Sequence, residues 1–336
     1  MRAAVYRETG PARDVLRVAD VDRPEPGPGD VLVRVRAAGV NPTDFKTRSG
    51  ATARPMAGFQ IPGQDGAGVI EAVGEGVDQA RVGERVWVWL AAFGRPWGTA
   101  AEYTVVPSRQ AVPLPDGASF ELGASLGVPA MTAHRALFAD GPVSGKTVLV
   151  AGGAGAVGHY AIELAKWAGA RVVTTVSGER KAELAAKAGA DLVVNYRDTD
   201  AIDQVRAFAP VVDRVVEVAL GANLELDLAV SGPSTVVVTY AADGPDPALP
   251  VRACMTANVT LRFILLYGVP DPALDAAVAD ITVALAGGAL TALPVHRFPL
   301  DETASAHEAA ESAAVGKVVI TPLSRDASSP AARHPV

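Results

Sequence analysis

Val148-Leu149-Val150-Ala151-Gly152-Gly153-Ala154-Gly155-Ala156-Val157-Gly158 is an apolar, β-branched run that breaks into a glycine turn. The residues that follow, 159–168, have helical character, so the stretch reads as strand, turn and helix. Each glycine of the turn has a separate reason to be there. Gly153 makes the tight turn, Gly155 lets the backbone approach a pyrophosphate, and Gly158 lets the helix pack on the strand. Ala154, Ala156 and Val157 lie between them, where the helix start offers free N–H groups and a positive dipole end to an anion. Such a pattern arises by chance in Gly- and Ala-rich sequence, so its neighbours decide its weight.

Those neighbours agree. Strands are predicted at 147–151, 171–176 and 192–194, with helices at 159–168 and 179–188 between them, and residues 215–218 and 236–240 continue the series. Apolar runs with little alternation belong to parallel strands covered on both faces, which predicts a doubly wound α/β Rossmann sheet. After 259–266 the alternation stops, giving a helix at 270–287, a strand at 294–298, a helix at 303–313 and a strand at 317–321. Upstream, residues 3–6, 31–37, 68–73 and 85–90 are short β runs bounded by Gly, Pro and Asp. The segments 24–30 and 112–117 are turn-rich connectors, and a helix is expected to start at Ser119. The simplest plan inserts a dinucleotide domain, 124–266, into a β-rich catalytic domain made of 1–123 and 267–336, with a loose polar tail from Ser324.

Bulk properties narrow the function classes. The 336 residues are 49% hydrophobic and 20% charged, the composition of a globular protein large enough for two domains. A formal net charge of −7 speaks against a general nucleic-acid or membrane-surface binder. With Cys254 as the single cysteine there is no intramolecular disulfide and no cysteine cluster for a metal; the residue reads as a small buried thiol. The start is too short and interrupted for a signal peptide and no run reaches membrane-spanning length, so a cytoplasmic protein is expected.

The end of the second strand bears on which dinucleotide is bound. An NAD site places Asp or Glu there for the ribose 2′-OH. This chain has Ser177, with Arg180 and Lys181 close behind. A hydroxyl and cations suit a 2′-phosphate, whereas a carboxylate repels it, so NADPH is the expected cofactor. The competing reading has Arg180 and Lys181 simply solvated on the next helix, with Glu179 weakening their field.

Several blocks together carry a family likeness: Gly39-Val40-Asn41-Pro42-Thr43-Asp44, Pro62-Gly63-Gln64-Asp65-Gly66-Ala67-Gly68, Val73-Gly74-Glu75-Gly76-Val77, Gly83-Glu84-Arg85-Val86, Gly98-Thr99-Ala100-Ala101-Glu102-Tyr103 and Val128-Pro129-Ala130-Met131-Thr132-Ala133. In this order and spacing the chain resembles the zinc-free quinone oxidoreductase and zeta-crystallin branch of the medium-chain dehydrogenase/reductase superfamily. The resemblance implies a GroES-like catalytic domain and hydride transfer from NADPH to a quinone or other conjugated carbonyl. Zinc members of the superfamily carry cysteine where this chain has Asn41, and His-Glu where it has Gln64-Asp65. Asn41 and Gln64 are poor zinc ligands, and no metal is expected; an oxygen-rich site on Asp44 and Asp65 is the alternative.

By position, the resemblance lays Ala154 to Val157 along the pyrophosphate. It puts Ser177, Lys181 and Tyr196 around the 2′-phosphate and adenine, and Thr132 beside the nicotinamide. Tyr240, Ala241 and Leu265 become backbone contacts near the nicotinamide end, and Lys317 a basic residue reaching toward the cofactor. The catalytic candidates are Asn41, Lys46 and Gln64. Asn41 is either a donor to the substrate oxygen or a brace for the Asn-Pro turn. Lys46 stands where family members have a tyrosine, either stabilising an enolate or solvated at the surface. His134 is read as packing under the cofactor and His159 as facing pyrophosphate or solvent, while His296, His307 and His334 read as surface positions. Competing functions are an enoyl-thioester reductase and a non-enzymatic NADPH-binding structural or RNA-binding protein. A homodimer is expected through the apolar edge at 259–266.

Overall fold

The chain opens with strand β1 (Arg2–Val5), which pairs antiparallel with β2 (Arg17–Asp20) across the short helix α1 (Ala12–Val15). A computed structural model describes residues 1–52, 55, 56, 58–242, 244 and 246–323; the tail from Ser324, with His334, lies outside the described residues. Strand β3 (Asp30–Gly39) runs into helix α2 (Pro42–Ser49), followed by β4 (Asp65–Val73), β5 (Arg85–Val88), β6 (Tyr103–Pro107), β7 (Ala111–Pro113) and the one-turn helix α3 (Phe120–Gly123). Ser119 does start a helix, its hydroxyl accepting the Leu122 N–H at 3.1 Å. A π-type turn, Leu126–Ala130, then leads into α4 (Met131–Phe138).

The next segment alternates strand and helix as its sequence predicts. It comprises β8 (Thr147–Ala151), α5 (Ala156–Trp167), β9 (Arg171–Val176), α6 (Glu179–Lys187), β10 (Leu192–Asn195) and α7 (Ala201–Phe208). It continues with β11 (Val212–Glu217), α8 (Leu220–Val230), β12 (Ser231–Thr239), α9 (Val251–Ala257) and β13 (Thr260–Phe263). The strands form one parallel sheet in the order β10-β9-β8-β11-β12-β13, the doubly wound Rossmann arrangement. Burial on both faces explains the missing alternation. Val148 and Val150 pack with Ala161 and Leu164 of α5, while Leu149 between them packs with Leu220 and Leu224 of α8. Each such side chain contributes about 1.5–3 kcal/mol on burial, so neither face tolerates a polar residue cheaply.

The chain then returns through α10 (Asp271–Ala286), β14 (Val295–Pro299), α11 (Thr303–Glu311) and β15 (Lys317–Thr321). β15 pairs with β3 and β14 in the second sheet, ordered β14-β15-β3-β4-β5-β7 with β6 also on β3. Strands from both ends of the chain therefore close one β-rich unit around the inserted Rossmann sheet. The strand expected at 259–266 is shorter, because Leu266 already begins a tight 3₁₀ turn. The Asn41-Pro42 turn is instead the start of a helix, with Pro42 at the first turn, where an N–H has no intrahelical partner to lose. Among the described residues no helix is long and apolar enough to cross a membrane.

Candidate active site

α2 begins where β3 ends, and this junction builds a buried polar centre. Asn41 caps the helix, its N–H donating to Asp44 Oδ2 at 2.8 Å, and Asp44 Oδ1 accepts the Gln64 N–H at 3.1 Å. The Asn41 amide is used at both ends. Nδ2 donates to Asp65 Oδ2 at 2.7 Å, and Oδ1 accepts from Lys317 Nζ at 2.7 Å. Lys317 Nζ lies 3.9 Å from the same Asp65 oxygen, so the amide bridges an ammonium and a carboxylate. Asp65 Oδ1 accepts the Val128 N–H at 2.8 Å, which ties β4 to the turn before α4. A Cβ on Gly127 would stand 2.1 Å from that oxygen, so the glycine is what admits the carboxylate. All five side chains are buried, Lys317 with 2% of its surface exposed.

Removing these charges from water shifts their protonation. Burial, opposed by the Asn41 N–H, pushes Asp44 up to about 7. Burial also pushes Asp65 up to about 6, with the Lys317 ammonium as the main force in the other direction. Lys317 itself is lowered by burial, against the pull of Asp65 and Asp44. Near neutral pH Asp65 is thus largely ionised against the Lys317 amino group, with Asp44 titrating beside them. Asp44 and Gln64 also line a cavity of about 470 Å³ whose other walls include Met56, Phe59 and Phe93. Gln64 Oε1 is buried and has no hydrogen-bond partner among the described residues. Lys46 is half-buried two residues beyond Asp44 on α2, and Thr132 is buried on the first turn of α4.

At the other sheet, strand order reverses between β8 and β11, which opens a crevice at the strand ends. The glycine turn lies there. A Cβ on Gly153 would come within 2.1 Å of Thr174 Oγ1, and one on Gly158 within 2.3 Å of the Gly152 carbonyl oxygen. These two glycines serve the protein's own packing. Gly155 differs: it is exposed at the N-cap of α5 with φ −77°, and its Cβ would approach the Gly152 oxygen only to 3.3 Å. Its missing side chain leaves room on the open side, where a ligand would approach. Ala154 is buried under the turn, while Ala156 and Val157 are half-buried.

Ser177 follows β9 and accepts a hydrogen bond from Lys181 Nζ at 3.0 Å. Tyr196 follows β10, 46% exposed, with its N–H on the Val176 carbonyl at 3.1 Å, so these three residues share one corner of the crevice. Tyr240 and Ala241 follow β12, the Tyr240 N–H reaching the Glu217 carbonyl at 3.2 Å. Leu265 lies beyond β13 and is exposed. Lys317 is not with them: its ammonium is turned to Asn41 in the other unit.

The histidines depart from expectation. His159 faces neither ligand nor water; it is buried, with Nε2 3.1 Å from the Thr291 carbonyl and 3.2 Å from Glu163 Oε1. His307 is buried rather than superficial, and burial, aided by the Arg48 charge, pushes it down to about 3, so it stays neutral. His134 bonds Asp280 at 2.8 Å and packs on Phe138, and His296 reaches the Val315 carbonyl at 3.0 Å. Cys254 is half-buried, not buried. Sequence reasoning passed over Asp44 and Asp65 as working residues, weighing them only as metal ligands. The available signal was an acid at the head of an apolar strand, beside a single basic residue at the head of another.

Residues 27–116 match the alcohol dehydrogenase GroES-like domain family, and residues 156–281 the zinc-binding dehydrogenase family. A quinone oxidoreductase of Lama guanicoe is 32% identical over 325 residues, 95% of this chain and 97% of that protein. Among solved structures, an NAD-dependent alcohol dehydrogenase aligns with a TM-score of 0.88 at 29% identity, covering 96% of this chain and 99% of the other. A mycobacterial protein complexed with NADPH aligns at 0.83 and 31% identity, covering 96% of this chain and 100% of the other. A chain that matches these families and shares about 30% identity and the fold of such enzymes over nearly its whole length belongs with them: it is an oxidoreductase of the quinone oxidoreductase branch of the medium-chain dehydrogenase/reductase superfamily.

Proposed function

We propose that this chain reduces quinones or other conjugated carbonyl compounds with NADPH and without zinc. The observation that carries the reading is the Lys317–Asn41–Asp65 centre, where an amide bridges a buried ammonium and a carboxylate. Zinc does not fit these residues. The positions of the zinc-ligating cysteine and histidine hold amides, and the ammonium beside Asp65 opposes a second cation. Among the described residues no group of three or more His, Cys, Asp or Glu side chains is close enough to hold a metal. An amide backed by a fixed cation favours an acceptor that spreads its developing negative charge by conjugation, since such an oxygen needs less help than an alkoxide. The mixed walls of the adjoining cavity suit a flat, largely apolar ring with one or two carbonyls.

NADPH supplies the hydride when bound. The turn from Gly153 to Gly158 would hold its pyrophosphate, Gly155 giving the closest backbone approach, and Ser177, Lys181 and Tyr196 its 2′-phosphate end. Thr132, Tyr240, Ala241 and Leu265 would line the path toward the nicotinamide. The hydroxyl–ammonium pair of Ser177 and Lys181, in place of a carboxylate, supports NADPH over NADH. Oxidation of NADPH and NADH, followed separately against a quinone, an enone and an enoyl thioester, tests the assignment. The quinone and enone should turn over with NADPH. Ser177→Asp should cut NADPH preference by about tenfold, about 1.4 kcal/mol, as a carboxylate meets the 2′-phosphate. Equal use of NADH by the parent chain, or turnover of the thioester alone, contradicts the proposal.

Lys317→Met tests the charge centre. Turnover is expected to fall about a hundredfold, the size of effect seen when a preorganised charge-stabilising group is removed. The stability effect has a defined sign. Asp65 titrates above its unfolded value, so its buried charge destabilises the fold as pH rises, and Lys317 offsets this. The melting temperature should drop more at about pH 8, where Asp65 is ionised and alone, than at about pH 5, where it takes up a proton. An equal drop, or a larger one in acid, contradicts the assignment.

We further propose a homodimer through β13. This strand ends the sheet, paired with β12 on its inner side, and Phe263, Leu265 and Met255 near it are each about 70% exposed. An open edge beside apolar side chains favours pairing with a second copy. Sedimentation should give the mass of two chains, and Phe263→Glu should shift it to one; a monomeric parent chain contradicts the reading.

A further inference from the structure

Two more carboxyl groups are buried together at the crevice. Glu217 ends β11 and Asp227 lies on α8, and neither is exposed to solvent. Glu217 Oε1 accepts the Ala219 N–H and, at 2.9 Å, Asn223 Nδ2. Asp227 lies against Glu217. Among the described residues no N–H or hydroxyl reaches Glu217 Oε2 or either Asp227 oxygen. A hydrogen carried on one of the acids answers two of these three oxygens, through an O–H···O bond between the carboxyl groups.

The location gives this pair a use. Val216 is in register with Val150 of β8, and Val218 Cγ1 would stand 3.2 Å from a Cβ on Gly152. The turn after Glu217 therefore touches the glycine turn. The Glu217 carbonyl also accepts the Tyr240 N–H, which fixes the segment after β12. One buried acid thus sits behind two of the crevice walls, and Asn223 and Ala219 hang from its outer oxygen.

We infer that Glu217 and Asp227 share one proton and act together as positioning residues, holding residues 218–219 and the first turn of α8 against the glycine turn so that the dinucleotide crevice keeps its shape. The inference rests on reading the glycine turn as the NADPH site. Burial first, and the Glu217 charge second, push Asp227 up to about 9, so the proton persists through neutral pH. Of the titratable groups on neighbouring elements, Tyr240 at the end of β12 faces Glu217 and is held protonated by burial and by that charge. Arg206 of α7 is turned to the Ala229 carbonyl. With the folded value raised from 3.8 to about 9, the stabilisation from this proton is full below about pH 4, declines as pH rises between the two values, and is gone above about pH 9.

The test measures the dissociation constants of NADPH and NADH across alkaline pH, by nicotinamide fluorescence, together with the infrared band of neutral carboxyl groups. In the parent chain both constants should rise about tenfold between neutral pH and one unit above the Asp227 titration. Asp227→Asn should rescue neutral-pH affinity and flatten the rise, because its amide donates to Glu217 without titrating. Asp227→Ala should bind weakly even at neutral pH. The neutral carboxyl band should lose one component in Asp227→Asn. The same alkaline rise in the parent chain and Asp227→Asn overturns the positioning role, and an unchanged infrared band overturns the shared proton. If the parent chain binds neither dinucleotide, the reading of the glycine turn fails and takes the positioning role with it, while the band still reports the proton.

Discussion

Burying the Lys317 ammonium obliges the chain to bring oxygen atoms to it from elements far apart in sequence. Asn41 comes from the junction of β3 and α2, Asp65 from the head of β4, and Lys317 from the head of β15. Taking such charges out of water costs several kcal/mol each unless every lone pair and N–H is answered, so the three cannot be placed independently. Asp65 then carries the constraint onward, since its second oxygen holds the Val128 N–H and with it the turn into α4. The C-terminal strand, the β-rich unit and the approach to Thr132 are in this way fixed to one another through a single amide. The backbone at that point is π-type, with Pro129 inside it.

The same logic recurs across the crevice with opposite sign. At Lys317 a cation is answered by a carboxylate through Asn41; at Glu217 a carboxylate is answered by a second acid that keeps its proton. Both centres lie at strand ends: the first at β3, β4 and β15 of the β-rich unit, the second at β11 of the Rossmann sheet. Rigid buried polar groups set the position of backbone segments whose own side chains, such as Gly155 and Ala241, have little to hold them.

How far the sequence discloses this depends on the range of the interaction. The Rossmann strands were legible because local apolar runs decide them: β8, β9 and β15 begin and end where their sequences predict. Helix α2 was missed because Asn41-Pro42 reads equally as a turn, and the capping contact with Asp44 becomes visible only when the helix forms. His307 and His159 were misplaced because burial of a lone histidine depends on partners 259 and 132 residues away, Arg48 and Thr291. Asn41, Gln64 and Lys317 were each singled out by position, but their union around Asp65 is a long-range fact. No spacing in the sequence announces that an amide will stand between an ammonium and a carboxylate.

We propose that this amide–ammonium centre supports hydride transfer without a metal. The most direct measurement is the rate of NADPH oxidation by a conjugated acceptor, using protein stripped by a strong chelator and assayed with and without added Zn²⁺. The same rate is expected in the stripped, untreated and zinc-supplemented samples. A rate lost on stripping and restored by zinc would contradict it.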